Sequence, residues 1–561
     1  KVNFLSLNIV DKALMIAIIF IAVITLFIAG ISPPNNWDSM TYHLSRIQHW
    51  IQNSGVHFFD TNNFRQNLYS PLTEFIILHI EVLSNADIFA NLVQWFCFII
   101  NMVVISLICK ELHLNKTLQM LSSFFICSMP IVILQSSNTK NDLALSTFIL
   151  LFYYYQLSGI NSCSKLNIFF SGLALGLGIL TKGTAYVFLF SIGIVYLIYQ
   201  ILYASSLTRR TIMYKSVTIF LIGLIINLPH FLRTYFKYGN FLGLNINQIH
   251  ANETFSIFTI FSNLIRYLAF QLGSTNEQLN WYLYRIVQLF LGDNISDPKT
   301  SLLGRHFRPP FFSLHEDAAG NFIHIIIMIF LFLYGIFILK KLRKVQITSF
   351  WISFISIFLY CLLFKWTAYT GKVLSLLIIT TPFILVITNQ LFKKQHLRKI
   401  IYLTFFLMFL GTSPYLFYNK SRPLFPLNSQ SIVYQDRYVG YFKNRPELFK
   451  EYQQIINAIN TNSSRKSIAY HLGGDAWDYP FWIMLKEKYG EHIPYIYHLK
   501  IEKLASLTKP NALPEYIIFE NRFLENLSTI KKNYEIVEFQ HSFSLMKKIN
   551  KKLLNGDIIL N

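Results

Sequence analysis

The amino-acid sequence predicts a polytopic α-helical membrane protein that ends in a small α/β domain outside the membrane. Three observations lead there. Only 14% of the 561 residues are charged and 53% are hydrophobic, whereas soluble domains average about 25% charged residues. Apolar runs close to the roughly 20 residues needed to cross a bilayer recur along the chain. Basic residues gather in alternate loops between those runs, the asymmetry of the positive-inside rule.

Taken in order, eleven apolar runs qualify as spans: near 12–30, 88–109, 117–135, 142–158, 167–181, 184–203, 216–235, 321–340, 348–365, 373–392 and 399–418. The first is too long for the core of a signal peptide and lacks a cleavage site, so it reads as a retained anchor. In the fifth, Gly172, Gly176 and Gly178 dilute the apolar run, and Thr181-Lys182-Gly183 separates it from the sixth. On one side lie Lys110 and Lys116, Lys165, Arg209, Arg210 and Lys215, Lys340, Lys341, Arg343 and Lys344, and Lys393, Lys394, Arg398 and Lys399, with Glu111 as the single acid. The short loops opposite hold Lys140, Lys182, Lys365 and Lys372. This pattern puts the N-terminus inside and the C-terminus outside.

Three outer regions are then large: 31–87, 236–320 and the tail. In the second, Phe261–Arg266-Tyr267 and Trp281-Tyr282-Leu283-Tyr284-Arg285 mix aromatic and basic residues, as suits amphipathic helices lying at headgroup depth. Pro423–Pro426 marks a boundary, dividing residues 1–420, the membrane domain, from residues 421–561. In the tail, Ser467-Ile-Ala-Tyr and Glu515-Tyr-Ile-Ile-Phe read as strands, and Glu447–Asn460 and Tyr479–Tyr489 as helices. Asp475-Ala-Trp-Asp478-Tyr, following two glycines, reads as a turn after a strand.

The formal charge of +21 sits largely in short loops between spans, so nucleic acid is not an expected partner; membrane lipids are. Cys97, Cys109, Cys127, Cys163 and Cys361 all lie in or beside apolar segments, which excludes a disulfide framework and a cysteine zinc site. No cofactor and no metal are expected.

Chemistry concentrates in the first outer loop. Asp38 follows the first span by about eight residues; a carboxylate there can take a proton from a hydroxyl acceptor as a general base. Asp38 or Ser39 can equally cap a helix over 40–52. Arg65-Gln66 offers a guanidinium fork and an amide to a phosphate, or else an arginine snorkelling to headgroups. His43 lies on the helix that begins at Asp38. Lys140 and Asp142 open the fourth span, and either join the same cavity or form a capped helix start. Lys182 is a cation near the outer ends of two short spans, costly unless paired or facing water. Ser313 and Glu316 have capping-box spacing; His315, Glu316 and Asp317 are the alternative cavity residues. A divalent ion there is disfavoured, since adjacent residues seldom ligate one metal together. Lys372 faces the same side from the ninth span.

The strings Trp37-Asp-Ser-Met-Thr-Tyr-His-Leu-Ser-Arg-Ile-Gln-His-Trp50 with Arg65-Gln66, Leu180-Thr-Lys-Gly183 and His315-Glu-Asp-Ala-Ala-Gly-Asn321, in this order on this topology, resemble the GT-C glycosyltransferases. The branch most similar holds the bacterial relatives of protein O-mannosyltransferases and of the lipid A aminoarabinose transferase. The likeness runs over roughly residues 10–420. It implies inverting transfer from a polyprenyl-phosphate sugar to a glycan, lipid or protein acceptor on the extracytoplasmic face of the cytoplasmic membrane. Asp38 stands where the family carries its catalytic aspartate, and Asp142 or Glu316 is its implied partner. Arg65, Lys182 and one or more basic residues of the 230–310 region (His230, Arg233, Arg266) would neutralise the departing phosphate, with Gln66 and Lys372 also binding it. Two features depart from the family: Asp38 is followed by Ser39 rather than a second acid, and Lys372 stands where relatives often have Arg.

A transporter or lipid flippase is the rival class. No repeat relates the halves and no paired broken helices appear, features transporters often show. A polysaccharide polymerase or ligase is the nearest rival among enzymes, and a receptor subunit with a binding tail is the non-catalytic one.

Overall fold

The computed structural model describes residues 8–204, 206–243, 250–427, 430–460, 467–490, 492–499, 513–523 and 533–549. Its contacts divide the chain into two compact units. The first holds residues 1–32, 70–73 and 88–434; the second holds 33–69, 74–87 and 435–561.

The first unit is helical, and each of the eleven apolar runs forms helix. Among the described residues, eight stretches are long and apolar enough to cross a membrane: Ile9–Ile31, Leu92–Glu111, Ala185–Tyr203, Arg209–Tyr238, Phe322–Lys341, Lys344–Leu363, Thr370–Phe392 and Gln395–Phe417. Asp142–Ser158 and Lys165–Thr181 are shorter. Phe337 and Met213 are 84% and 70% exposed, a placement that suits lipid and not water. The protein is a multi-pass membrane protein. Helix Leu374–Phe392 is instead buried nearly all round and forms the centre of the unit, as expected of a helix apolar on every face.

The run at 117–135 differs from a single span. Pro130 cannot continue the helix before it, so Lys116–Cys127 stops, Met129 is extended, and Pro130–Gln135 starts anew. The glycines that dilute the fifth run are its packing surface. A Cβ on Gly172 would meet Ile222 at 2.6 Å, and one on Gly176 would meet Ile226 at 2.7 Å. Helices Lys165–Thr181 and Arg209–Tyr238 can therefore approach closely only with small residues at the contact. Aromatic helices form in the 236–320 region, at Ile257–Gln271 and Glu277–Leu291, and Trp281 and Tyr282 stay 50% and 60% exposed.

The second unit carries a five-stranded sheet in the order β2-β1-β3-β5-β4, with β1 Ser467–His471, β2 Tyr495–His498, β3 Tyr516–Glu520, β4 Tyr534–Phe539 and β5 Phe543–Lys548. Strands β2, β1 and β3 are parallel; β5 is antiparallel to β3 and to β4. Helix Tyr479–Tyr489 makes the crossover from β1 to β2, as a parallel pair requires. The ring of Phe481 on it stacks on Tyr452 of helix Leu448–Ala458 at 4.0 Å.

Residues 33–69 and 74–87, most of the first long loop, belong to this unit. Its helix Leu44–Gln52 docks on the edge strand β2 through Gln52, whose amide donates to the Ile496 carbonyl (2.7 Å) and accepts from its N–H (2.8 Å). One side chain thus takes the place of a neighbouring strand.

Candidate active site

In the second unit the chain leaves Pro34 and turns into helix at Trp37. Ser39–His43 forms a π-helical turn that continues into Leu44–Gln52, a local widening often found at functional sites. The cap is not Asp38, whose side chain makes no capping bond. Asn36 takes that role, its Oδ1 accepting from the Ser39 N–H at 2.9 Å. Asp38 is half-buried.

Arg65 opens the short helix Arg65–Leu68. Its Nε donates to Asn63 Oδ1 (3.0 Å), and its Nη2 donates to Asp475 Oδ1 (2.7 Å) and the Gly474 carbonyl. The guanidinium lies 5.0 Å over the ring of Tyr42, and Tyr42 meets Tyr69 edge-on at 5.3 Å. Burial works against the charge of Arg65, but Tyr42, Asp38 and Asp475 outweigh it and raise the pKa. Asp38, Tyr42, Arg65, Tyr69 and Asp475 thus form one electrostatic group. Burial, opposed by Arg65 and reinforced by Asp38 and Asp475, pushes the Tyr69 phenol up to about 12, so at neutral pH it keeps its proton.

Beneath this group lies a buried frame. Arg46 donates to the carbonyls of Gln66, Arg65 (2.6 Å) and Tyr69 (2.9 Å), tying three successive parts of this short helix and its end to one guanidinium. It also pairs with Glu74 at 3.2 Å, and His43 Nδ1 meets the same carboxylate oxygen at 2.8 Å. Arg46 therefore fixes the backbone that presents Arg65. His43, expected in the cavity, belongs to this frame. Gln66, expected on a phosphate, is buried with its amide donating to Thr41 O (3.1 Å) and Asp478 Oδ2 (2.8 Å) and its oxygen accepting from Thr61 (2.6 Å). It has no donor left for a ligand.

The first unit gathers the other candidates. Lys182, directly after helix Lys165–Thr181, forms an ion pair with Asp142, the first residue of helix Asp142–Ser158. Lys140 pairs with Asp317. Lys140 and Lys372 are also near enough to act on the charge of Asp142. Glu316 pairs with Arg422 and accepts from Asn138 Nδ2 at 2.8 Å; burial opposes its ionised form, yet Arg422 outweighs this and lowers its pKa. Glu316 caps nothing: the helix after it begins at Phe322, following Asn321, and Ser313 Oγ accepts from the His315 N–H instead (3.1 Å). His315 Nδ1 in turn accepts from the Asp317 N–H (3.1 Å). Lys372 comes from a turn whose Thr370 N–H donates to the Asp317 carbonyl at 2.9 Å. A Cβ on Gly371 there would meet Gln135 Nε2 at 2.6 Å, so glycine lets the turn sit down. His230, buried, and Arg233, half-buried, lie past Pro229 on helix Arg209–Tyr238. Asn227 on that helix bonds the Gly176 carbonyl (2.9 Å) of the helix preceding Lys182.

Arg266 does not serve as a phosphate ligand. It is fully buried, and its three nitrogens donate to Ser262 O (3.2 Å), Ser301 Oγ (2.8 Å), Asn263 Oδ1 (2.7 Å) and Thr300 Oγ1 (2.9 Å) among others. It ties the 295–301 segment to helix Ile257–Gln271.

Residues 70–230 match the family model for dolichyl-phosphate-mannose-protein mannosyltransferases. The crystal structure of ArnT from Cupriavidus metallidurans in the apo state is similar over 95% of this chain and 97% of that one, with a TM-score of 0.52 at 10% identity. In that segment and in its fold the chain is similar to the GT-C glycosyltransferases. No curated protein sequence matches it. The crystal structure of the same ArnT bound to undecaprenyl phosphate aligns over 95% of this chain and 98% of that one, with a TM-score of 0.45 at 12% identity. The matched stretch takes in Lys140, Asp142, Lys182 and His230, and begins after Asp38 and Arg65. Sequence reasoning missed Arg46, Asp475 and Asp478. The last two stand in the string read only as a turn, which it is: the Ala476 N–H donates to the Gly473 carbonyl at 3.1 Å.

Proposed function

We propose that this glycosyltransferase moves a sugar, with inversion, from a polyprenyl-phosphate carrier to a hydroxyl of a glycan, lipid or protein on the extracytoplasmic face of the cytoplasmic membrane. The donor class follows from the matched family's name, in which the sugar is carried on dolichyl phosphate. The observation that carries the proposal is the Asp38 carboxylate, set in the electrostatic group of Arg65.

Asp38 accepts the proton of the acceptor hydroxyl as its oxygen attacks the anomeric carbon. The bond from that carbon to the phosphate oxygen breaks, and the polyprenyl phosphate leaves with the electron pair. Arg65 takes up the charge that develops on the phosphate; Lys182, Lys372, His230 and Arg233 are the cations the first unit offers to the donor, and Asp142 is its second carboxylate. Lys140, His315 and Asp317 are proposed to line the acceptor side. The reaction needs no cofactor, since a phosphate leaves readily once its charge is neutralised.

The test is sugar transfer by the purified full-length protein in detergent. It uses a panel of radiolabelled polyprenyl-phosphate sugars and membrane-extract acceptors, with wild type beside Asp38→Asn. The expected result is transfer by wild type and a loss of about 10²–10⁴-fold in the variant with donor binding retained. Equal rates would take the base role from Asp38 and point to Asp142. A wild type that binds none of the donors would overturn the donor class and favour a transporter or receptor.

A further inference from the structure

Three residues distant in sequence converge inside the second unit. His49 lies on the first-loop helix Leu44–Gln52, Asp478 directly precedes helix Tyr479–Tyr489, and His498 ends strand β2. All three are buried, and one nitrogen or oxygen from each lies within 4.8 Å of the others.

The cluster is unusual for what it leaves unsatisfied. His49 Nε2 and both ring nitrogens of His498 have no hydrogen-bond partner among the described residues, although all are out of solvent. Buried polar atoms without partners are rare and costly, and each calls for an explanation. The His498 Nε2 to Asp478 Oδ2 separation is 3.3 Å, out of line for a hydrogen bond. Two ligands bonded to one tetrahedral zinc at about 2.0–2.1 Å stand about 3.3 Å apart. The surrounding contacts fix the donors. Ser45 and the Gln66 amide, the latter at 2.8 Å, donate to the Asp478 carboxylate. These bonds orient the carboxylate, as hydrogen bonds to metal-ligating carboxylates usually do. The His49 ring is stacked on Phe59 (4.2 Å) and held edge-on by Trp482 (4.9 Å).

We propose that His49, Asp478 and His498 bind a divalent transition-metal cation of the zinc class. Two imidazoles and one carboxylate match the donor preference of zinc and not that of magnesium or calcium, which take oxygen ligands. The ion staples the first-loop helix to the sheet of the second unit, next to the Gln52 contact with β2. Its role is structural, and the inference does not rest on the glycosyl-transfer reading.

The experiment uses full-length protein purified in detergent without a polyhistidine tag. Metal content is read by mass spectrometry of the elements, after exposure to zinc and removal of loosely held ions. About one zinc per chain is expected in wild type, and none in His49→Ala or His498→Ala. Chelation should lower the Tm of wild type, and zinc but not magnesium should restore it. His49→Phe keeps a ring between Phe59 and Trp482, so it guards against variants that fail to fold: it should remain folded, hold no zinc, and not respond to chelator. Cobalt loaded into wild type should give the visible absorption of a four-coordinate site. A wild type that retains no zinc after loading overturns the proposal. So does zinc that persists in the His49 and His498 variants.

Discussion

Arg422 and Glu316 are 106 residues apart in sequence and form an ion pair in which neither side chain reaches solvent. Arg422 also donates to Ser137 Oγ (3.2 Å) and the Leu134 carbonyl (3.1 Å), so one guanidinium joins three segments of the first unit. Removing one partner leaves an uncompensated buried charge, which costs about 3–5 kcal/mol. Arg422→Ala should therefore lower the Tm sharply in detergent. Arg422→Met combined with Glu316→Gln should recover most of it, because no lone charge remains. A double variant no better than the single one would contradict this account.

Arg266 separates a structural arginine from a ligand-binding one. With its donors engaged by Asn263, Thr300 and Ser301, Arg266→Met should destabilise the protein. In the folded fraction, the KM for the donor should stay within about threefold of wild type, since no phosphate contact is lost. Thermal melts and kinetics on the same preparation check both halves.

The membrane part of the fold was largely legible because it rests on local signals. Twenty apolar residues and a basic loop can be read one segment at a time, and Asp142–Ser158 forms where hydropathy places it. Pro130 was equally local, and its break was the readable exception within the third run. The site was only half legible. Asp38, Arg65, Lys182 and Asp142 announce themselves as polar residues beside apolar runs. Their partners do not: Asp475 meets Arg65 across 410 residues, and no spacing rule connects them. Gln66 and Arg266 have the chemistry of phosphate ligands, and their sequence neighbours give no sign that backbone carbonyls and side chains already use their donors. Nor does any motif join His49 to Asp478 and His498.

Lys182 and Asp142 act as a pair, and the two single variants should differ. Lys182→Ala removes a cation proposed to face the donor and should lower kcat/KM on the order of 10²-fold, the loss typical of one group that stabilises developing charge. Asp142→Asn leaves the cation in place and should cost about tenfold or less if its role is to hold Lys182. A larger loss in Asp142→Asn than in Lys182→Ala would give the carboxylate a direct part in the chemistry.

Arg65 is held by Asn63 and Asp475 and lies over Tyr42. Lysine keeps the charge and loses the planar fork and the stacking. Arg65→Lys should therefore behave much like Arg65→Ala, each lowering kcat/KM by roughly 10²-fold or more. Asp475→Asn should cost far less, since Asp475 is 68% exposed and exposed pairs contribute little. Full activity in Arg65→Lys would reduce the site's demand to charge alone.

Glu81 gives the second unit a pH response. It accepts from Gln48 at 2.7 Å, and burial, then Asp87, raise its pKa from 4.5 to about 8, against the pull of Gln48 and Lys486. The folded state thus binds a proton that the unfolded chain has released above its ordinary value. Stability from this group is complete below about 4.5 and is lost as pH rises through about 8, because the native state holds more protons across that window. The wild-type Tm should fall over this interval. Glu81→Gln, which stays neutral at every pH and keeps an oxygen for Gln48, should flatten the profile and exceed wild type at the alkaline end. Parallel profiles for the two proteins would show that Glu81 does not carry the proton.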